Sequence, residues 1–141
     1  MKRKYIFKPL NISDVHFLTK YAAECDNISE DSKISKIEER LKQRFKNSNY
    51  FGVIAMFGNE RIGFQDGVIV NQSLELNEIY VNEKYRGQGL GEKLMGEIIL
   101  VAKSRAVKRV IFHTEPDNIP MQKLGEKMGF EPKIFTYEKR L

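Results

Sequence analysis

"IYVNEKYRGQGLGEKLM", Ile79 to Met95, sets three glycines within five residues between an apolar run and the start of a helical repeat. A glycine inside regular structure costs about 0.5–1 kcal/mol of backbone entropy relative to alanine. Gly87, Gly89 and Gly91 therefore mark either a plain strand-to-helix turn or a place where a ligand needs the backbone close. Successive N–H groups in such a turn, followed by the unpaired N–H groups of a helix's first turn, make a concave positive site for a phosphate. Side chains at 87, 89 and 91 would block that approach. The familiar nucleotide motifs fit poorly, because no Gly-Lys-Ser/Thr is present and Glu92 stands where a dinucleotide fingerprint wants glycine or alanine.

Working outward, the residues before the glycines read as a three-strand meander. "YFGVIAMF" and "RIGFQDGVIV" are joined through Gly58-Asn59, and "NQ" at 71–72 leads into "SLELNEIYV", with turn chemistry suited to antiparallel hairpins. Further upstream, "KYIFKP" reads as a first strand. Ser13 is placed to cap a helix with an apolar stripe at Val15, Leu18, Ala22 and Cys25, and Ile34, Ile37, Leu41 and Phe45 define a second helix. Downstream, Leu90, Leu94, Ile98, Val101 and Ala102 mark one face of a helix of about four turns. "KRVIFHT" reads as a buried strand, Met121 to Met128 as a short helix, and "FEPKIFTYEKRL" as a final strand or pair of strands. The order predicts an α+β fold: a mixed, mostly antiparallel central sheet flanked by helices in three layers, with one strand–helix–strand crossover. The glycine turn falls at the carboxyl end of a crossover strand, where ligands of such sheets tend to sit.

With 141 residues, 30% charged and 41% apolar, the chain fits one domain, residues 1–141, that can bury a core without disulfides. The single cysteine has no partner for a disulfide or a structural zinc site, and the longest aliphatic run, "IILVA" at 98–102, is too short to cross a bilayer. We expect a cytoplasmic protein with no membrane partner. The net charge of +5 favours anionic partners. The basic residues are spread along the chain, however, and "ERLKQRFKN" reads as a solvated helix face, so no nucleic-acid partner is expected.

The pattern Arg86-x-x-Gly89-x-Gly91, preceded by "LNEIYV" and followed by "EKLM", resembles the signature of the GCN5-related N-acetyltransferase (GNAT) superfamily. Asn118, Leu124, Lys127, Gly129 and Phe130 in "NIPMQKLGEKMGF" match its second motif at the usual spacing, so the likeness spans about Leu74 to Phe130. It implies a GNAT-like fold and transfer of an acetyl group from acetyl-coenzyme A to a primary amine of a small molecule or peptide, by direct attack in a ternary complex. It implies further that Arg86, Gly87, Gln88, Gly89, Leu90, Gly91 and Glu92 hold the pyrophosphate. Ile79, Tyr80 and Val81 would pair their backbone with the pantetheine arm, a Val81 amide would polarise the thioester carbonyl, and Asn118 would bond the pantetheine. Two positions depart from the pattern. Glu83 replaces the usual proline, and Gly125 stands where most members carry the tyrosine that protonates the departing thiolate. Another tyrosine such as Tyr137, or a water, would have to serve.

Acyl transfer to an amine needs a base, since stripping a proton from a primary amine of pKa near 10.4 at pH 7 costs about 4–5 kcal/mol. Glu75 and Glu78 are the candidates on the strand that feeds the turn. Glu75 shares strand parity with Ile79 and Val81, whereas Glu78 points to the opposite face unless a bulge intervenes. The loop "AECDNISEDS" carries Glu24, Asp26, Glu30 and Asp31, which suits a cationic acceptor, although Asp31 and Ser32 also fit an ordinary helix cap. His113, Glu115 and Asp117 alternate but lack a fourth ligand, so no metal is expected and the stretch reads as a strand end and loop. Cys25 reads as a core thiol. The charged and aromatic alternation of "TYEKRL" suits either a protected edge or a homodimer contact. The alternative function is a non-catalytic acyl-coenzyme A sensor or partner-binding module, which Gly125 keeps open.

Overall fold

The computed structural model describes residues 4–134 and 136–141. Five strands run in the order β1 (Tyr5–Pro9), β2 (Tyr50–Phe57), β3 (Glu60–Val70), β4 (Ser73–Val81) and β5 (Arg109–Ile111), antiparallel except that β4 and β5 are parallel. Helices α1 (Val15–Cys25) and α2 (Asp31–Arg44) cover one face; α3 (Leu90–Ser104) and α4 (Ile119–Lys127) cover the other. This is the three-layer α+β arrangement the sequence predicts.

The hairpins close for the expected reason. Asn71 and Gln72 both take positive φ, 49° and 67°, as a tight turn between twisted antiparallel strands requires. Period-two alternation then sends Phe51, Val53, Ala55, Ile62 and Leu74 into the layer under α3, and Ile54 and Phe64 into the layer under α1 and α2. Leu90, Leu94, Met95, Ile98 and Ala102 form the buried stripe of α3.

Four expectations need correction. Ser13 caps nothing: Asn11 caps a short 3-10 turn, Ile12–Asp14, in a reciprocal box with Asp14, and Asp14 also accepts a 2.7 Å ion pair from Arg61. The helix that follows is thereby rotated, burying Val15, Leu18, Thr19 and Ala23 and leaving Cys25 exposed. Glu30 is the N-cap residue of α2, so Asp31 lies in its first turn and does not cap it. The final strands are not formed among the described residues after Phe130. Ile134 and Tyr137 are 76% and 94% exposed, so the described residues of the segment, which leave out Phe135, have no buried face to offset the entropy of ordering it.

Candidate functional site

The glycine turn is a built cradle. After β4, Asn82 accepts the Lys84 N–H at 3.2 Å and starts a 3-10 turn, Glu83–Tyr85, whose Tyr85 is buried and donates its hydroxyl to Glu60 at 2.7 Å. Tyr5 packs edge-on against Tyr85 and donates its hydroxyl to Gln88, which ties the loop to β1. Gly87 and Gly89 take φ of +79° and +77°, the left-handed region that favours glycine, and apart from the adjoining residues no atom of the described residues lies within 4 Å of a Cβ at either position. The conformation favours glycine at both positions, and the space above them is open. Gly91 differs: it lies inside α3, and a Cβ there meets Ile79 and Leu124 at an ordinary 3.7 Å.

A cleft of about 410 Å³ lies over this turn, walled by Val81 and the glycines on one side and by Pro120, Leu124 and Lys127 of α4 on the other. The first-turn amides of α3, Leu90 to Glu92, have no intrahelical acceptor and make the cleft's floor attractive to an anion. Lys127 adds a cation at the rim, 2.9 Å from Glu92.

The second feature is a strand edge left without a neighbour. β5 pairs with β4 only at Ser73, Leu74 and Glu75. Beyond Glu75 the two strands part, so β4 from Leu76 to Val81 has β3 on one side and, among the described residues, no strand on the other. The Asn82 N–H bonds the Ile62 carbonyl of β3 at 2.7 Å, and strand alternation therefore turns the Val81 and Ile79 amides to the open side. Arg86 closes part of that edge. Its Nε donates to the Val81 carbonyl at 2.8 Å and its guanidinium lies 5.9 Å from the Tyr80 ring, so the side chain braces the loop against β4.

The two glutamates are reordered by a β-bulge. Gly67 pairs with Leu76 but Gln65 pairs with Ile79, so Asp66 of β3 faces both Asn77 and Glu78 of β4. The extra residue puts Leu74, Leu76, Ile79 and Val81 on the α3 side together and leaves Glu75 on the α1–α2 side with Tyr80, contrary to the parity expected for Glu75. Glu75 lies in the closed part of the β4–β5 pair, and its carboxylate has no hydrogen-bond or ion-pair partner among the described residues. Glu78 lies in the open part, and its Oε2 accepts the Tyr21 hydroxyl at 3.4 Å. Burial is the main influence raising the Glu78 pKa above the usual carboxylate range, followed by the nearby Asp66 charge.

Sequence reasoning passed over Tyr21 and Asp66. Tyr21 sits on α1, stacked on Tyr80 at 4.3 Å between centroids, and its pKa is raised by burial and then by Cys25. Asp66 is buried, accepting the Tyr50 hydroxyl at 2.6 Å and the Glu78 N–H at 2.9 Å. The signal for the bulge was present: the apolar positions of β4 run 74, 76, 79, 81, one residue out of strict alternation.

The second motif falls on α4. Asn118 is its N-cap residue, accepting the Met121 N–H at 3.3 Å. At Gly125 a Cβ would lie 2.6 Å from the Phe112 ring, which fills that space itself and packs on Phe130 at 4.9 Å. His113, Glu115 and Asp117 lie on an exposed loop between β5 and α4, and no group of three metal-ligating side chains occurs among the described residues. No helix of the described residues is long and apolar enough to cross a membrane.

Comparison with known proteins places these features in context. Residues 16–130 match the model of the Acetyltransferase (GNAT) family. A mycothiol acetyltransferase of Corynebacterium glutamicum (strain R) is 37% identical over 76 residues, which cover 52% of this chain and 25% of that protein. A putative [ribosomal protein bS18]-alanine N-acetyltransferase of Bacillus subtilis (strain 168) is 31% identical over 64 residues, covering 45% of this chain and 42% of that one. The chain thus spans about a quarter of the length of the mycothiol enzyme it matches. Among solved structures, the aminoglycoside N-acetyltransferase AAC(6')-Iy in complex with CoA superposes with a TM-score of 0.78 at 19% identity, over 100% of this chain and 98% of that one. At that identity the likeness is one of fold.

Proposed function

Because the chain belongs to the acetyltransferase (GNAT) family, we propose that its 141 residues form one acetyl-coenzyme A-dependent N-acetyltransferase domain, acting in the cytoplasm on a primary amine of a small molecule or peptide. One observation carries the reading. The open edge of β4 ends in an anion cradle, an extended slot leading into a phosphate site, which is the shape of pantetheine followed by pyrophosphate.

In this reading the amides from Arg86 to Glu92 take the pyrophosphate and Lys127 neutralises part of its charge. The pantetheine amides pair with the open side of Ile79 and Val81 as a missing strand, with Asn118 facing them from α4. The thioester carbonyl then lies at the Val81 N–H, which stabilises the developing oxyanion. Glu78 takes the ammonium proton, the amine nitrogen attacks the carbonyl carbon, the new N–C bond forms and the C–S bond breaks. Coenzyme A leaves as a thiolate, which a thiol pKa near 8.5 makes only about 2 kcal/mol uphill at neutral pH, and the second proton of the attacking nitrogen passes through water to that thiolate, giving the neutral amide and the free thiol. Phe112 over Gly125 supports this route without a tyrosine acid.

The acceptor would enter on the α1–α2 side, between Glu78, Tyr21 and Tyr80. Glu24 and Asp26 lie close enough to act on these groups electrostatically, and Arg44 is held against Asp66, so the entrance favours a cation. The relatives are named as acetyltransferases of mycothiol, of a ribosomal-protein alanine and of an aminoglycoside, and transfer of an acetyl group by this chain is in keeping with those names.

The test is multiple-turnover release of coenzyme A thiol from acetyl-coenzyme A with a panel of polyamines, aminoglycosides, lysine peptides and alanine-terminal peptides. Turnover with any of them supports the enzyme. Binding of acetyl-coenzyme A with no turnover supports the second reading, a non-catalytic acyl-coenzyme A sensor, for which the missing tyrosine at Gly125 is the favouring observation.

A further inference from the structure

Asp66 is a carboxylate placed where a backbone group would ordinarily serve. It is 1% exposed, in the middle of β3, and it is the single β3 residue facing the two-residue bulge of β4. A bulge leaves an amide without its ladder partner. Here Oδ1 of Asp66 accepts that amide, the Glu78 N–H, at 2.9 Å. Oδ2 accepts the Tyr50 hydroxyl of β2 at 2.6 Å and lies 3.9 Å from Nη1 of Arg44 on α2. One buried side chain thus joins β2, β3, β4 and α2 at the residue next to the open edge.

We propose that Asp66 is a positioning residue for Glu78: it locks the β4 bulge from the opposite strand and so fixes the Glu78 carboxylate beside the open edge of β4 and the Tyr21 hydroxyl. The proposal rests on the reading of Glu78 as the acceptor-side base. Three arguments support it. A bulge re-aims the side chains at and beyond it, and without this one Leu76 and Ile79 would face opposite sides of the sheet. A buried carboxylate is expensive unless fully bonded, and each Asp66 oxygen has a hydrogen-bond donor. Finally, the groups facing Glu78 are Tyr21 from α1, Asp26 just beyond it, Arg44 from α2 and Asp66 from β3. Burial raises the pKa of Asp66 itself, against the lowering by Tyr50, the Glu78 amide and Arg44; when ionised, Asp66 has the larger influence of the two acidic groups, so the residue that sets the geometry also makes Glu78 hold its proton more tightly and act as a stronger base.

The test uses Asp66→Asn, which keeps an acceptor for the Glu78 amide but removes the charge, Asp66→Ala, which removes both, and Tyr50→Phe. Glu78 is followed by carboxyl carbon NMR, assigned with Glu78→Gln, beside the pH profile of amine kcat/KM and the Kd for acetyl-coenzyme A. In Asp66→Asn the Glu78 titration and the acidic limb of the profile both move to lower pH. In Asp66→Ala the amine kcat/KM falls by about 10-fold or more, a part of the roughly 100-fold to 10,000-fold that a general base contributes, while the acetyl-coenzyme A Kd stays within about twofold and Asp66→Asn recovers most of the loss.

The proposal is overturned if the Glu78 titration is unmoved in folded Asp66→Asn, or if amine turnover and acetyl-coenzyme A binding weaken together in Asp66→Asn and Tyr50→Phe. Should Asp66→Ala fail to fold, those two variants decide. Full activity in Glu78→Gln removes the base role while leaving the NMR shift readable, so the two readings fail separately.

Discussion

A Cβ on Gly125 would lie 2.6 Å from the ring of Phe112, a half-buried neighbour that occupies the space where a residue-125 side chain would grow. The two positions are complementary: an aromatic ring projects from the loop after β5, and a glycine on α4 receives it. Restoring a phenol at 125 alone therefore overpacks the junction.

Gly125→Tyr is expected to lose about 1–3 kcal/mol of stability without raising kcat, and Phe112→Ala in the same chain to recover part of the stability. Urea denaturation of the two variants measures this. A stable Gly125→Tyr single variant with raised kcat would show that the ring moves aside freely.

Arg86 braces the loop through the Val81 carbonyl. Arg86→Ala removes one exposed hydrogen bond to that edge, worth about 1 kcal/mol, so the KM for acetyl-coenzyme A should rise roughly fivefold with little change in kcat at saturation. Steady-state kinetics with varied acetyl-coenzyme A reads both.

Glu78 and Glu75 should separate cleanly. Loss of a general base costs about 100-fold to 10,000-fold, so Glu78→Gln should fall by such a factor in kcat, whereas Glu75→Gln, outside the open stretch, should keep wild-type kinetics. Since the Glu78 pKa is raised by burial and by Asp66, and the base works deprotonated, activity should climb with pH through a midpoint above the ordinary carboxylate range. A midpoint in the ordinary range, or equal losses for both variants, would count against this assignment.

The acceptor entrance is probed by charge. Neutralising Glu24 and Asp26 together should raise the KM for a cationic acceptor several-fold and leave that for a neutral amine analogue unchanged, because the effect is a Coulombic attraction between partly exposed groups. An unchanged KM for the cationic acceptor returns both residues to ordinary surface.

What could be read from the sequence follows from how local each signal is. The hairpins at Gly58-Asn59 and Asn71-Gln72, the α3 stripe and the glycine turn depend on neighbouring residues, and each stands where expected. The parity of Glu75 failed because a bulge is recorded only as a slip in apolar spacing, Leu74, Leu76, Ile79, Val81, and its lock, Asp66, lies on another strand. Cys25 failed as a core residue because the rotation of α1 is set by the Asn11 cap and by Asp14 with Arg61, a contact between residues 47 apart. The terminal strand failed because alternation without burial does not hold a strand.

The central claim is that the glycine turn and the open edge of β4 receive acetyl-coenzyme A, and calorimetric titration of the protein with acetyl-coenzyme A tests it directly. Gly91→Glu is the better control than Gly89→Glu, since a Cβ at position 91 makes only ordinary 3.7 Å contacts while position 89 holds a left-handed φ of +77°. The account predicts micromolar binding by the wild type, lost in a Gly91→Glu variant of unchanged melting temperature. No binding by the wild type, or equal binding by the variant, would contradict it and leave the turn as a turn.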